Sequence, residues 1–168
     1  ALSLAEADEF VLAFSEAFGV AAAAGRHLAY AAARPWMTSS SFCGGAYGSI
    51  ILRPDGDLTA CYEVTDRSHA LAFLATLGHI DGHGLQWDAA AQARLRAHLE
   101  HKRALCRGCF CYWHCAGDCF ARAWAYRDEP DPTQTPRCTI NRQLTLQLLL
   151  WYILEAKDGA WRGLPAPT

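Results

Sequence analysis

A chain of 168 residues with 52% hydrophobic side chains is long enough to bury a core of its own, since a domain of this size removes roughly 70% of its unfolded surface from water. A formal net charge of −2, with acids and bases spread along the chain, excludes the basic footprint of a nucleic-acid partner. The longest apolar stretch, residues 144–154, is too short to span a bilayer, so no membrane partner is expected.

Glu6, Asp8 and Glu9 stand where a signal peptide would carry Lys or Arg. The expected compartment is therefore the cytoplasm, where thiols stay reduced and dense cysteines hold metal more often than they form disulfides. The sequence opens at Ala1 without an initiator methionine, which suggests a piece of a longer protein. Ser3 and Glu6 form an S-x-x-E capping box, and Phe10, Phe14 and Phe18 recur every four residues, so an amphipathic helix should run to about Gly25. Residues 27–32, HLAYAA, read as a short buried strand before Arg34-Pro35 breaks the pattern. Helix then strand leaves apolar faces uncovered, so residues 1–35 look like the trailing edge of an α/β barrel or sheet.

Beyond Cys43 the segments SIILR and LTACYEV flank Pro54-Asp55-Gly56-Asp57, and Asp55-Gly56 signals a two-residue hairpin turn. Such a hairpin places Cys61 on its return strand and Cys43 just ahead of its outgoing one, making both candidates for one site. Residues 88–105 start at an N-cap residue and are rich in helix formers, with Leu95 and Leu99 on one face. This helix delivers the chain into CRGCFCYWHCAGDC, five cysteines within residues 106–119. After Pro136 and Cys138, residues 139–156 read as a helix apolar on most sides, buried or docked against a partner. The last six residues, 163–168, read as a loose end.

Eight cysteines, about one residue in twenty, fall below the density of small secreted disulfide scaffolds. A C-x2-C turn brings two thiolates to one centre and suits zinc and iron–sulfur clusters equally. A structural zinc site closes with four ligands, so seven cysteines in two sites need a histidine, and His114 is the nearest. Iron–sulfur centres accept an open position. Two readings therefore stand: a zinc-braced peptide- or protein-recognition module without redox activity, and a cluster-bearing redox domain.

The order Cys43-x12-Gly56-x4-Cys61, Cys106-x2-Cys109-x5-Cys115-x3-Cys119, Cys138, with the phrase CFCYWHCAGDC, resembles the SPASM domain of radical SAM peptide and protein maturases. The resemblance covers residues 42–141. It implies an α+β fold: a small cysteine-rich domain with a β-hairpin and several helices around two cluster sites. A helix–strand remnant of a partial α/β barrel precedes it. The domains expected are residues 1–35 (end of the barrel), 36–142 (cluster-binding) and 143–168 (C-terminal helix and tail). It also implies two auxiliary 4Fe-4S clusters, the first on Cys43, Cys61 and Cys119, the second on Cys106, Cys109, Cys115 and Cys138. Zinc is a possible substitute. The fourth position of the first cluster is either open to a substrate group or reached by Cys111, whose alternative role is that of a small buried hydrophobe. Arg107, Arg122 and His114 are the candidates for the surrounding shell, with Lys102 and Arg103 also near the ligands in sequence. No C-x3-C-x2-C loop occurs, so S-adenosylmethionine would bind only in the barrel of a parent protein. The partners implied are that barrel and a ribosomally made precursor peptide.

Overall fold

The computed structural model describes residues 2–45 and 47–155. The capping box forms: Glu6 N donates to Ser3 Oγ at 3.2 Å and Ser3 N to Glu6 Oε2 at 2.8 Å, and helix α1 follows over Leu4–Ala23. It stops in a Schellman turn, with Arg26 N donating to Ala21 O at 2.8 Å and Gly25 N to Ala22 O at 3.0 Å. The buried stripe is Ala7, Val11 and Phe18 rather than the three phenylalanines. Each four-residue step overshoots a full turn by about 40°, so alternating steps of four and three hold one face better. Phe10 consequently lies 39% exposed and packs its ring 5.7 Å from that of Tyr30.

The strand expected over residues 27–32 does not form. Its place is taken by a tight turn with the single bridge Tyr30–Ala33, where Ala33 N donates to Tyr30 O at 3.0 Å. A strand needs a neighbour to receive its backbone groups, and among the described residues the sheet contains only segments from further along the chain. The expected helix–strand remnant is thus a helix and a turn.

That sheet is an antiparallel meander of β1 (Ile51–Leu52), β2 (Asp57–Thr59), β3 (Thr76–Asp81) and β4 (Gly84–Trp87). The expected hairpin is β1–β2, with Leu52 opposite Leu58. Its loop has three residues, not two: Arg53 N bonds Asp57 O at 2.9 Å, Gly56 N bonds Arg53 O at 3.0 Å, and Gly56 at φ +86° closes the turn. Beneath it Asp57, 1% exposed, is held by Arg53 at 2.6 Å, Arg67 at 2.6 Å and His79 at 2.8 Å. The pair β3–β4 was not anticipated from the sequence.

Helix α2 (Ala72–Ala75) and helix α3 (Ala89–Leu105) cover one core with Val64, Leu71, Leu77, Leu95 and Phe120. Asp88 caps α3 as expected, accepting from Ala91 N at 2.8 Å. Short helices α4 (Tyr112–Cys115) and α5 (Phe120–Ala123) follow. Helix α6 (Pro136–Glu155) starts earlier than expected, because Thr135 caps it through Cys138 N at 3.3 Å and Pro136 occupies its first turn. It docks on α1 through Ile140, Leu144, Leu148 and Tyr152 against Val11 and Phe18, the second core. Its outer face leaves Leu146 and Leu150 half exposed. The fold is therefore mixed α+β, with six α-helices and four antiparallel strands among the described residues. None of its helices there is long and apolar enough to cross a membrane. The tail at 163–168, expected as a loose end, lies outside the described residues.

Candidate metal centre

Four chain segments converge on the cysteine run. Leu95, fully buried, seats α3 on the first core, and α3 ends at Cys106, whose N–H donates to Arg103 O at 3.0 Å. Two further tight turns follow, Cys109 N to Cys106 O at 2.9 Å and Tyr112 N to Cys109 O at 3.0 Å. The first turn of α6 supplies Cys138. Together they wall a cavity of about 980 Å³ that contains Cys106, Cys109, Cys111, Cys115 and Cys138, at the upper end of the range for small-ligand and cofactor sites. Asn141, on the next turn of α6, donates its side-chain amide to Cys115 Sγ at 3.3 Å.

Between Cys115 and Cys119 the backbone takes three left-handed residues in succession, Ala116 (φ 52°), Gly117 (φ 84°) and Asp118 (φ 65°). A Cβ on Gly117 would also lie 3.1 Å from Arg103 Cγ, so glycine serves both the turn and the close approach to α3. Asp118 is locked there by a two-pronged ion pair with Arg137, both contacts 2.7 Å, and its Oδ1 accepts from Cys119 N at 2.7 Å. Arg137 precedes Cys138 and Asp118 precedes Cys119, so one ion pair ties the two cysteine-bearing arms together.

All eight cysteines are free thiols. Burial pushes the Cys61 thiol up, and the sulfurs of Cys119 and Cys43 act on it in the same sense. Burial likewise raises Cys106, with Cys138 and Cys109 adding and Lys102 opposing. Cys115 is pushed up to about 12, by burial first, then by Asp118 and Cys138, again opposed by Lys102. By place the sulfurs divide in two: Cys106, Cys109, Cys111, Cys115 and Cys138 line the large cavity, and the first set, Cys43, Cys61 and Cys119, does not. Cys111, 1% exposed, is also raised by burial and faces Cys109; its Sγ lies 3.7 Å from Asn141 O. It belongs to the wall of the second set's cavity. Among the described residues no three Cys, His, Asp or Glu side chains converge tightly on a single point.

Tethers from either side position the first set. Cys61 follows β2, its N–H donating to Thr59 Oγ1 at 3.3 Å. A Cβ on Gly45 would lie 2.5 Å from Ala60 O, so the loop carrying Cys43 rests on the backbone beside Cys61. Arg122, on α5 after Cys119, pairs with Glu63 at 2.9 Å and links the Cys119 arm to the Cys61 loop. His114 Nδ1 faces the carbonyls of Arg34 at 3.2 Å and Met37 at 3.1 Å. Arg34 returns the contact through Nε to His114 O at 3.0 Å and reaches Phe42 O with NH1 at 3.2 Å. These bonds hold the segment that leads into Cys43. Arg107 is exposed and lies outside the cavity wall.

Arg34, Asn141, Asp118 and Arg137 were not singled out from the sequence; only the proximity of Asp118 and Arg137 to cysteines pointed to them. Three cationic side chains around the thiols keep buried nitrogens without hydrogen-bond partners: Lys102 Nζ, Arg103 Nε and Arg34 NH2. The large cavity is lined by five cysteines together with His98, His101, Asp128 and Asp118, the last of which Arg137 occupies. Soft thiolates select zinc, copper(I) or iron–sulfur centres. Five cysteines on one cavity wall supply donors of the kind that hold zinc or an iron–sulfur cluster. No protein-family model, curated protein or solved structure matches this chain.

Proposed function

We propose that this chain is an auxiliary iron–sulfur domain of a radical SAM maturase that modifies a ribosomally made peptide. The second of two 4Fe-4S clusters would be held by Cys106, Cys109, Cys115 and Cys138, the first by Cys43, Cys61 and Cys119. The observation that carries this reading is the large cavity walled by sulfurs from α3, the loop after it, α4 and α6. When bound, such clusters supply one-electron transfer and, at an open iron, a binding position for a small group.

The chain's own residues do the positioning. Asn141 fixes Cys115 by an amide-to-sulfur bond, a contact that also favours the thiolate. Asp118 and Arg137 hold Cys119 and Cys138 at a constant separation. His114 and Arg34 anchor the approach to Cys43. The fourth position of the first set would be open to a group on the precursor peptide, a reading supported by the place of Cys111 in the wall of the large cavity.

The test is iron and acid-labile sulfide per chain after purification without oxygen, with an optical spectrum of the same sample. The expected result is about eight of each and visible absorption that dithionite bleaches. Cys115→Ala and Cys61→Ala should each halve the iron. Zinc without sulfide, persisting after anaerobic reconstitution, would overturn the reading and leave a zinc-braced recognition module.

A further inference from the structure

Of the cations near the thiols, Lys102 stands apart. Arg34 and Arg103 each leave one nitrogen unpaired, but Arg34 also bonds two carbonyls and Arg103 bonds Tyr112 Oη at 2.7 Å and lies over its ring. The Lys102 ammonium has a single nitrogen, and that nitrogen is buried without a hydrogen-bond partner. A buried ammonium in that state is costly unless an anion compensates it. Of the two carboxylates in the same wall, Asp118 is taken by Arg137, and Asp128 lies 3.4 Å from Arg127.

Lys102 lines the large thiol-walled cavity and also a small cavity that opens beside Cys43, so it stands in the partition between the two sets. It lies one helical turn before Cys106 on α3, which Asp88 caps and Leu95 seats on the first core. Its charge acts on Cys106 and Cys115.

We propose that Lys102 is the internal counter-charge of the centre held by Cys106, Cys109, Cys115 and Cys138, and that it raises the reduction potential of that centre. This rests on the iron–sulfur reading above. Adding an electron makes a thiolate-ligated cluster more negative, so a fixed cation at its edge favours the reduced form. Lys102 touches no substrate and is a positioning residue.

The experiment is a redox titration, followed by electron paramagnetic resonance, of the anaerobically reconstituted chain and of Lys102→Met, Lys102→Arg and Arg107→Met. Removing the charge should weaken the reduced state about tenfold, a potential lower by about 59 mV for one electron. Lys102→Arg, which keeps the charge, should restore most of it. Arg107→Met, exposed and outside the wall, should match the parent. Lys102→Gln provides the same neutral comparison if Lys102→Met does not assemble. Iron-loaded Lys102→Met or Lys102→Gln with the parental potential overturns the role of Lys102 and leaves the cluster reading standing. A parent chain that takes up no iron and sulfide overturns both.

Discussion

Replacing Asp118 by Asn removes one charge from the ion pair that joins the two cysteine-bearing arms. Asn keeps a side-chain oxygen for Cys119 N and tolerates the left-handed backbone at φ 65°, so the loss is confined to the pairing with Arg137. Arg137 is 14% exposed and Asp118 is 6% exposed, which places the pair well below the surface regime of about 0–1 kcal/mol. Burial works against the Arg137 charge, and Asp118 more than offsets it. An unpaired charge in such a setting costs about 3–5 kcal/mol. For a domain of this size that corresponds to a melting temperature lower by roughly 6–20 °C. The assay is urea unfolding of the metal-free chain under reducing conditions, followed by circular dichroism. Asp118→Asn with Arg137→Met should recover part of the loss, giving a coupling energy of at least about 1 kcal/mol. Asp118→Asn within about 0.5 kcal/mol of the parent at unchanged urea dependence would refute the reasoning.

Hydrogen bonding from Arg67, joined by His79 and the Arg53 charge and opposed by burial, holds the Asp57 carboxyl far below the usual carboxylate range. A depressed folded pKa gives stability that is complete above the unfolded value of about 4 and is lost as pH falls toward the folded one. The urea midpoint should therefore drop between about pH 4 and pH 2. Asp57→Asn, weaker at neutral pH by about 3–5 kcal/mol, should show a shallower drop, and equal slopes would exclude Asp57 as the source. Metal uptake should release protons, because burial keeps the Cys106 and Cys115 thiols protonated at neutral pH. Calorimetry in two buffers of different ionisation enthalpy should show at least about two protons leaving, and weaker binding as pH falls. A heat independent of buffer would exclude these thiols as ligands.

Features written in local chemistry were legible in the sequence. The Ser3 capping box, the Asp88 cap and the hairpin around Gly56 each depend on residues within four or five positions of one another, and all three formed. The strand at 27–32 failed because extended structure depends on a distant neighbour that sequence alone does not supply. The β3–β4 hairpin did carry a signal, Asp81-Gly82 between Ile80 and Leu85, but His79 and Asp81 interrupt its apolar alternation. In the site, the C-x2-C spacing pointed to the tight turn from Cys106 to Cys109, which forms. The contacts that hold those turns, Arg34 to His114 across 80 residues and Asp118 to Arg137 across 19, follow from tertiary packing and left no local pattern.

The left-handed run after Cys115 keeps Cys119 out of the large cavity that Cys115 lines. Had α4 continued past Cys115, Cys119 would have followed four residues later on the same helical face, and both sulfurs would have entered one cavity. Ala116 at φ 52° bears the cost of preventing this, since a non-glycine residue in that region is strained by about 1–3 kcal/mol. Gly117 and Asp118 tolerate the conformation more readily, and the Arg137 pair fixes the result. The chain therefore reverses within three residues, leaving Cys115 in the wall of the large cavity while Cys119 starts α5 and lies close enough to act on Cys61. On the proposed two-cluster reading, strain at Ala116 persists because the reversal it permits keeps Cys119 away from the large cavity, whose wall also holds Lys102.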